Sequence, residues 1–265
     1  MTALISIIVP CYNQAQYLDE CLQSVYNQSF QEWECVIVDD GSPDNTEVVA
    51  RRWTVKDCRF KYFKKQNEGV CAARNYGIER AIGQWILPVD SDNSINQDYL
   101  LEASKYFDKN FKVIYGNARK YGAINEDWIL PPFTRKKMAV YNIIDTCAFY
   151  KKIDFNEIGG YDEQMIHGLE DWEFWINLLK DGGDVKHLPA IHFNYRVQEK
   201  SRTAGLDMQK FEKMVRYIER KHTSFFHENL GTFHQLAIEN LDLKSKVNGK
   251  VYKLYMYISK ILRRI

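Results

Sequence analysis

The feature that most constrains the fold is an alternation of short apolar runs with amphipathic segments through the N-terminal third of the chain. The apolar runs at residues 4–9, 35–38 and 85–89 are almost uninterrupted, which is typical of strands buried on both faces of a parallel sheet. Amphipathic stretches separate them, such as the one from Asp19 to Tyr26. The alternation predicts an α/β protein with a mostly parallel, doubly wound sheet flanked by helices.

The composition is that of an ordinary folded protein without a strong electrostatic field. Of its 265 residues, 45% are hydrophobic, and 36 basic against 35 acidic side chains leave a net charge of +1. This balance predicts no nucleic-acid partner. Near residue 205 the strand pattern ends, and apolar residues then recur at helical spacing. We therefore expect a sheet-containing domain over residues 1–205 and a helical C-terminal extension over residues 206–265.

The cysteines and the N-terminus both favour a cytoplasmic protein. The six cysteines are scattered, without a C-x-x-C pair or a zinc-like spacing, which indicates reduced thiols and not a disulfide framework. The chain enters a strand soon after Met1 without a basic leader segment. No apolar run approaches the ~20 residues that a membrane-spanning helix needs.

The last fifteen residues, 251–265, form a basic amphipathic pattern in which apolar residues share one helical stripe and lysines and arginines lie off it. Such a helix can lie on an anionic membrane surface, here the inner face of the plasma membrane. It can equally pack against the protein or a partner helix. The sequence leaves this choice and the oligomeric state open.

Two carboxylates directly follow the third apolar run. Asp90 and Asp92 are two positions apart, and side chains at that spacing on a strand point the same way. Like charges so placed repel each other, but they suit a divalent cation that also binds phosphate oxygens. Ligands of open α/β sheets lie beyond the carboxyl ends of the strands. The pair predicts a metal-assisted phosphate site, with a solvated turn as the alternative.

Polar residues also follow the other two apolar runs. Tyr12 lies in the segment from Pro10 to Asn13, where its ring can stack on a planar base. Asp40 follows the second run, where its carboxylate can accept a hydrogen bond from a base. Each has an ordinary alternative, namely a rim aromatic and a turn aspartate.

A predicted helix after Asn67 and Gly69 places Arg74 about one turn from its start. Helix N-termini favour anions, so this segment is a candidate phosphate contact. We expect the Arg74 guanidinium to bridge to Asp39 or Asp40 and to the ligand. The glycine pattern matches neither the Walker loop nor G-x-G-x-x-G.

In order and spacing, these clusters resemble the family 2 glycosyltransferases of the GT-A fold, of the inverting type that builds bacterial cell-surface polysaccharides. The resemblance covers about residues 3–203. The segments that carry it are SIIVPCYNQAQYLDECLQSVYNQSF, VIVDDGSPDNT, NEGVCAARNYGI, WILPVDSDN, IGGYDEQMIHGLEDWEFWINLLKDGG and YRVQEKS. It implies a nucleotide-binding half over residues 1–98 and an acceptor half over residues 99–205.

The resemblance implies transfer of a sugar from a nucleotide diphosphate, most often UDP, to an acceptor hydroxyl with inversion. The acceptor would be a glycan or a lipid-linked precursor of capsule, O-antigen or another surface glycan. Asp92 matches the residue that binds Mn²⁺ or Mg²⁺, and Asp90 matches the residue near the ribose and the metal. The nucleotide-binding positions are Pro10, Tyr12, Asn13, Asp40, Asn67, Gly69, Arg74, Asp90 and Ser91.

In the acceptor half, Asp171 matches the catalytic base, which removes the proton of the acceptor hydroxyl. Glu170, Trp172 and His167 are the implied acceptor-binding residues. From the residues alone, the acidic pair is also explained as a favourable helix N-terminus. The alternative function is a non-catalytic nucleotide-sugar-binding partner subunit.

The chain departs from the family pattern after Tyr195-Arg196. Many relatives have a histidine that reaches the metal or the diphosphate where this chain has Gln198, which leaves a metal ligand from this region open. The other candidates for a diphosphate contact here are Arg196, Lys200, Ser201 and Arg202.

Overall fold

A computed structural model of the chain describes residues 3–198 and 207–262. The first elements are β1 Ile5–Cys11, α1 Ala15–Tyr26, β2 Trp33–Asp39, α2 Thr46–Lys56, β3 Phe60–Lys64, α3 Val70–Arg80 and β4 Trp85–Pro88. The next are β5 Ser94–Ile95, α4 Tyr99–Ser104, β6 Phe111–Gly122, β7 Glu126–Trp128, α5 Arg135–Met138, β8 Ala148–Lys151, α6 Lys152–Ile158, α7 Glu170–Leu179 and β9 Asp184–Val197. Three helices follow, α8 Met208–Lys221, α9 Thr223–Leu230 and α10 Phe233–Leu262.

One sheet holds the strands in the order β3-β2-β1-β4-β8-β6-β9-β5, and β7 pairs with β6. Strands β3, β2, β1 and β4 run parallel, whereas β8 is antiparallel to both β4 and β6. The predicted α/β fold is confirmed. The continuous parallel part of the sheet comes from the N-terminal half of the domain. The remainder of the sheet combines parallel and antiparallel pairs.

The two central strands explain the apolar runs of the sequence. Every residue of β1 and of β2 is buried, because these strands are covered on both faces of the sheet. Their register pairs Cys11 with Asp39, so both strands end at the same edge. The turns that follow β1, β2 and β4 therefore share one edge, and this edge carries the candidate site.

Helix α3 approaches the sheet closely at Gly77. A Cβ atom added there would lie 2.8 Å from a side-chain carbon of Ile8 and 2.9 Å from one of Val38. Although alanine favours helices, we expect Gly77→Ala to lower the free energy of unfolding by about 1–3 kcal/mol, because the core must move to admit it. Chemical denaturation measures this loss. Gly249→Ala is the matched control, since no atom lies within 4 Å of its added Cβ. An equal loss in the control would contradict the packing explanation.

The chain divides into two compact units, one ending at His222 and the other beginning at Thr223. Helix α8 belongs to the first unit, and α9 and α10 belong to the second. The predicted boundary between residues 205 and 206 falls in residues 199–206, outside the described part, and stays a prediction. Among the described residues, no helix combines the length and the apolarity that crossing a bilayer requires.

Candidate functional site

The turn after β1 presents an aromatic ring at the sheet edge. Pro10 is buried within β1, whereas Tyr12 directly after the strand is 50% exposed. Asn13 adopts a positive φ of 55°, and its backbone N–H donates to Ser42 Oγ at 3.1 Å. This contact fixes the turn after β1 against the turn after β2. The exposed ring is thereby held where a planar ligand can reach it.

Asp40 is a buried carboxylate that the chain itself largely satisfies. Its Oδ1 accepts from Lys65 Nζ at 3.0 Å and from the backbone N–H of Glu68 at 3.1 Å, and its Oδ2 accepts from the N–H of Gly69 at 2.8 Å. Gly69 has a φ of 96°, which turns this N–H toward the carboxylate. A carboxylate has about four lone-pair positions, so one direction is left for a ligand donor. The Asn67 side chain is exposed beside this turn.

Arg74 is 1% exposed and joins the two halves of the site. Its Nη2 pairs with Asp90 Oδ1 at 2.7 Å, and its Nη1 pairs with Glu170 Oε1 at 3.2 Å. The expected bridge from Arg74 to Asp39 or Asp40 is wrong. Lys65 already neutralises Asp40, and the buried guanidinium balances two carboxylates that come from the end of β4 and the start of α7.

In the aspartate pair that follows β4, the charge of Asp90 acts on Asp92. Burial, followed by the negative charge of Asp90, raises the pKa of Asp92 to about 6. Gln198 Nε2 donates to Asp92 Oδ2 at 2.7 Å, so the residue that departs from the family pattern lies at the expected metal ligand. Ser91 is buried between the two aspartates, and its Oγ donates to Gln14 Oε1 at 2.8 Å.

Arg196 forms a hydrogen bond to the main chain of Asp92. Its Nε donates to the Asp92 carbonyl oxygen at 3.0 Å. Its guanidinium lies 4.5 Å from the ring centre of Tyr17 and 4.4 Å from that of Tyr121, within the range of a cation–π contact. The other basic candidates, in residues 200–202, lie outside the described residues.

Asp90 and Asp92 are the side chains at this sheet edge that could hold a cation. Over the described ranges, no cluster of three or more histidine, cysteine, aspartate or glutamate side chains is arranged to hold a metal ion. Two adjacent carboxylates fit a hard cation that takes its other ligands from phosphate oxygens and water. All-oxygen ligation suits Mg²⁺ and Mn²⁺ better than softer metals.

Asp171 lies in the first turn of α7 with both carboxylate oxygens engaged. Its Oδ2 accepts from Asn142 Nδ2 at 2.8 Å and from Thr146 Oγ1 at 3.4 Å, and its Oδ1 accepts from the N–H of Trp172 at 2.8 Å. Burial, followed by the charge of Glu170, raises the pKa of Asp171 to about 6. A carboxylate with that pKa is ionised at neutral pH and is a stronger base than an exposed one.

Of the expected acceptor residues, Glu170 pairs with Arg74, and the other two lie on either side of the start of α7. Trp172 is 5% exposed, and its indole N–H donates to the Met138 carbonyl oxygen at 2.7 Å. His167 is partly buried in the turn that leads to Leu169, whose φ is 63°. Residues other than glycine rarely adopt this conformation, and such strain concentrates at functional sites. The acceptor-binding roles stay predictions.

The Tyr195 phenol is affected by the charges of both the strand-end aspartates and Asp171. Burial, followed by the charges of Asp145, Asp90, Asp92 and Asp171, raises the pKa of Tyr195. Coulomb effects weaken with distance, so both the strand-end pair and the α7 aspartate lie near this phenol. Tyr195 begins the segment YRVQEKS, but the sequence does not predict it as a site residue. Nothing in the sequence pattern singled it out.

The sequence analysis also missed Asp145, which lies in the loop before β8. Its Oδ1 accepts from the N–H of Cys147 at 2.9 Å. Burial, followed by the charges of Asp171 and Asp90, raises the pKa of Asp145 to about 7. A lone aspartate between Ile144 and Thr146 gives no motif, so the fold is what reveals that it joins this acidic group.

Asp145→Asn should stabilise the protein. A folded-state pKa above the unfolded value means that ionised Asp145 costs stability at pH 8, and that the cost disappears as the pH falls toward the unfolded pKa. We expect the variant to gain about 1 kcal/mol or more at pH 8 and progressively less toward pH 5. Denaturant unfolding at several pH values measures the difference. A variant that is less stable than the parent at pH 8 would contradict this assignment.

Comparisons with known proteins identify the family to which the chain belongs. Residues 6–160 match the model of the family described as Glycosyl transferase family 2. The chain belongs to this family. The sequence is 30% identical over 223 residues to chondroitin synthase of Pasteurella multocida, covering 80% of this chain and 22% of that protein. It is 41% identical over 202 residues to an uncharacterized glycosyltransferase, RC0461, of Rickettsia conorii, covering 72% of this chain and 33% of that protein.

The solved structures that resemble this family 2 chain confirm the GT-A fold. Staphylococcus aureus TarS 1-349 in complex with UDP-GlcNAc superimposes with a TM-score of 0.71 at 22% identity, covering 85% of this chain and 71% of that one. The mannosyltransferase PcManGT from Pyrobaculum calidifontis, in complex with GDP-Man and Mn²⁺, has a TM-score of 0.62 at 18% identity, covering 93% and 81%. The chain spans only about a fifth to a third of the length of the two curated relatives above.

Proposed function

We propose that this chain is an inverting, metal-dependent glycosyltransferase that moves a sugar from a UDP-sugar to an acceptor hydroxyl. The observation that carries the proposal is the chain of ion pairs Asp90–Arg74–Glu170, at 2.7 and 3.2 Å. It holds the strand-end aspartates and the start of α7 together. A donor diphosphate at the first and an acceptor hydroxyl at the second would meet without a large rearrangement.

The nucleotide part of the site fits uracil. The exposed Tyr12 ring offers a stacking surface at the end of β1. The unused lone-pair direction of Asp40 would accept the N–H that lies between the two carbonyl groups of uracil. The TarS structure that shares this fold holds UDP-GlcNAc, which supports a UDP-sugar, whereas the more distant PcManGT holds GDP-Man.

A divalent cation, Mn²⁺ or Mg²⁺, would be held by Asp92 with Asp90 beside it. When bound, it would neutralise the charge that grows on the departing diphosphate. The Mn²⁺ in the PcManGT structure supports a metal of this kind. Asp92 is suited to this task because burial and Asp90 both disfavour its unpaired negative charge.

The acceptor half would supply the base. Asp171 would take the proton of the acceptor hydroxyl as its oxygen bonds to the anomeric carbon, while the bond from that carbon to the diphosphate oxygen breaks. Attack from the side opposite the diphosphate inverts the anomeric centre in one displacement. Asn142 and Thr146 hold one oxygen of Asp171, which limits the orientations the base can adopt.

We place the acceptor among glycans or lipid-linked precursors of surface polysaccharides. Chondroitin synthase among the relatives supports a polysaccharide product. Contact of residues 251–265 with the inner face of a membrane stays a prediction, because most side chains of this segment lie outside the described residues. A peripheral cytoplasmic location rests on the same prediction.

A nucleotide panel tests the proposal directly. UDP, GDP, CDP and ADP are compared by thermal unfolding with Mn²⁺ and with a chelator, followed by turnover of UDP-hexoses and UDP-N-acetylhexosamines with glycan acceptors. A ligand at 100 times its Kd stabilises by about 2.7 kcal/mol, which shifts the midpoint by several degrees. We expect UDP with Mn²⁺ to give the largest shift and the transferred sugar to be inverted, as seen by proton NMR. A larger shift with GDP, or a retained anomeric configuration, would contradict the proposal.

A further inference from the structure

The segment of residues 142–146, between α5 and β8, lies against the proposed base. Ile143 and Ile144 are each 1% exposed and anchor the segment in the core. The other three side chains are polar, and two of them donate to Asp171. The five residues thus form a fixed loop on the base and not a surface connection.

The Asn142 amide has a defined orientation. Its Oδ1 accepts from the N–H of Ile144 at 3.3 Å, and its Nδ2 donates to Asp171 Oδ2 at 2.8 Å. The opposite placement of the amide would set oxygen against carboxylate oxygen and nitrogen against N–H, so the chemistry of the partners selects this one. A donor that points at a carboxylate favours its ionised form.

Asp145 lies on the same loop, and its Oδ1 accepts from the N–H of Cys147. Burial, followed by the charges of Asp171 and Asp90, raises the pKa of Asp145 to about 7, above that of Asp171, so Asp145 is mostly uncharged in the pH range where Asp171 ionises. The loop therefore acts on the base through the hydrogen bonds from Asn142 and Thr146.

The other groups that face Asp171 come from several elements. Glu170 lies on its own helix, and Arg74 comes from α3. Arg74 is already shared between Asp90 and Glu170. The charged or titratable groups that interact with Asp171 beyond residues 142–146 include Glu170, Arg74, Asp90, Tyr161 and Tyr195. Hydrogen bonds to this carboxylate come from the 142–146 loop and from Trp172.

We propose that residues 142–146 form a positioning loop that holds Asp171 and favours its ionised form, with Asn142 making the principal contact. The inference rests on the proposed function, because it takes Asp171 as the base. Asn142 does not need to touch the substrate for this role.

The test is the pH dependence of kcat/KM for the parent and two variants. Below its pKa the base is protonated, so activity falls on the acid side. Asn142→Ala removes one hydrogen bond to the ionised form and should move this acid limb upward by about 0.5–1 pH unit. Asn142→Asp keeps the contact to Ile144 but replaces the donor with a charge, and should move it further upward.

A second readout does not depend on turnover. With [4-¹³C]aspartate incorporated, the carboxyl resonance of Asp171 is titrated in the free protein and assigned by its loss in Asp171→Asn. The same order of midpoints is expected, with Asn142→Asp highest, then Asn142→Ala and the parent. Asn110→Ala, an exposed asparagine, should match the parent, and the KM for the donor should stay within about twofold in all variants.

Upward shifts in both Asn142 variants support the inference. Midpoints that do not move, or that move downward in either variant, overturn it. If the parent transfers no sugar, or Asp171→Asn remains active, the proposed function fails instead. The NMR titration then still decides whether this loop controls the ionisation of Asp171.

Discussion

Asp171→Asn should lower kcat by about 10²–10⁴-fold and leave the affinity for UDP within about twofold of the parent. The amide keeps the size of the side chain and can still accept from Trp172, but it cannot take a proton from the acceptor. The donor contacts that we propose involve other residues, at the ends of β1, β2 and β4. Steady-state kinetics with a saturating donor, together with calorimetric titration of UDP, separate the two effects.

The matched control for this prediction is Asp154→Asn on α6. Asp154 is also a partly buried carboxylate with a raised pKa, caused by burial, but its charged neighbours are Lys112, Lys151 and Glu157 and not the site carboxylates. We expect this control to retain the parent kcat. If Asp171→Asn retains it as well, Asp171 is not the base, and Asp145 becomes the next carboxylate to replace.

Asp92→Asn should abolish the dependence of UDP binding on Mn²⁺. In the parent, we expect UDP to bind at least about tenfold more tightly with Mn²⁺ than with a chelator, because the cation links the diphosphate to the carboxylate. A neutral amide at this position removes half of the charge of the Asp-x-Asp pair. Calorimetric titration with and without Mn²⁺ measures both states.

The fold of this variant should remain intact. Since burial and Asp90 already disfavour the charge of Asp92, removing that charge should not lower the unfolding temperature in the absence of metal. The exposed Asp108 provides a control, as Asp108→Asn should keep the parent's response to Mn²⁺. Equal Mn²⁺ dependence in Asp92→Asn and in the parent would place the cation elsewhere.

The sequence predicted the parts of the site that lie on regular elements. Strands β1, β2 and β4 are recognisable because burial on both faces requires nearly continuous apolar runs. The carboxyl ends of parallel strands meet at one edge of a sheet, so the sequence also predicts that the polar residues ending these runs lie at that edge. The resemblance to a known family added Asp171, which the residue pattern alone explained better as part of an acidic helix N-terminus.

The contacts that the sequence did not predict depend on which elements become neighbours. Arg74 was expected at Asp39 or Asp40, but the choice among several carboxylates is decided by Lys65, whose place on Asp40 has no sequence signature. Strand β8 lies between β4 and β6, although it follows both in the chain. This insertion positions the preceding loop, with Asn142 and Asp145, against α7, and local patterns contain no information on pairings of this kind.

The central claim is that acidic groups at the end of β4 and at the start of α7 act on one bound donor. A crystal structure with a non-hydrolysable UDP-sugar and Mn²⁺ tests it most directly. We predict that Asp92 and the diphosphate oxygens bind the cation, and that the anomeric carbon faces Asp171 with room for one acceptor hydroxyl between them. A cation held away from Asp92, or an anomeric carbon turned away from Asp171, would contradict the account.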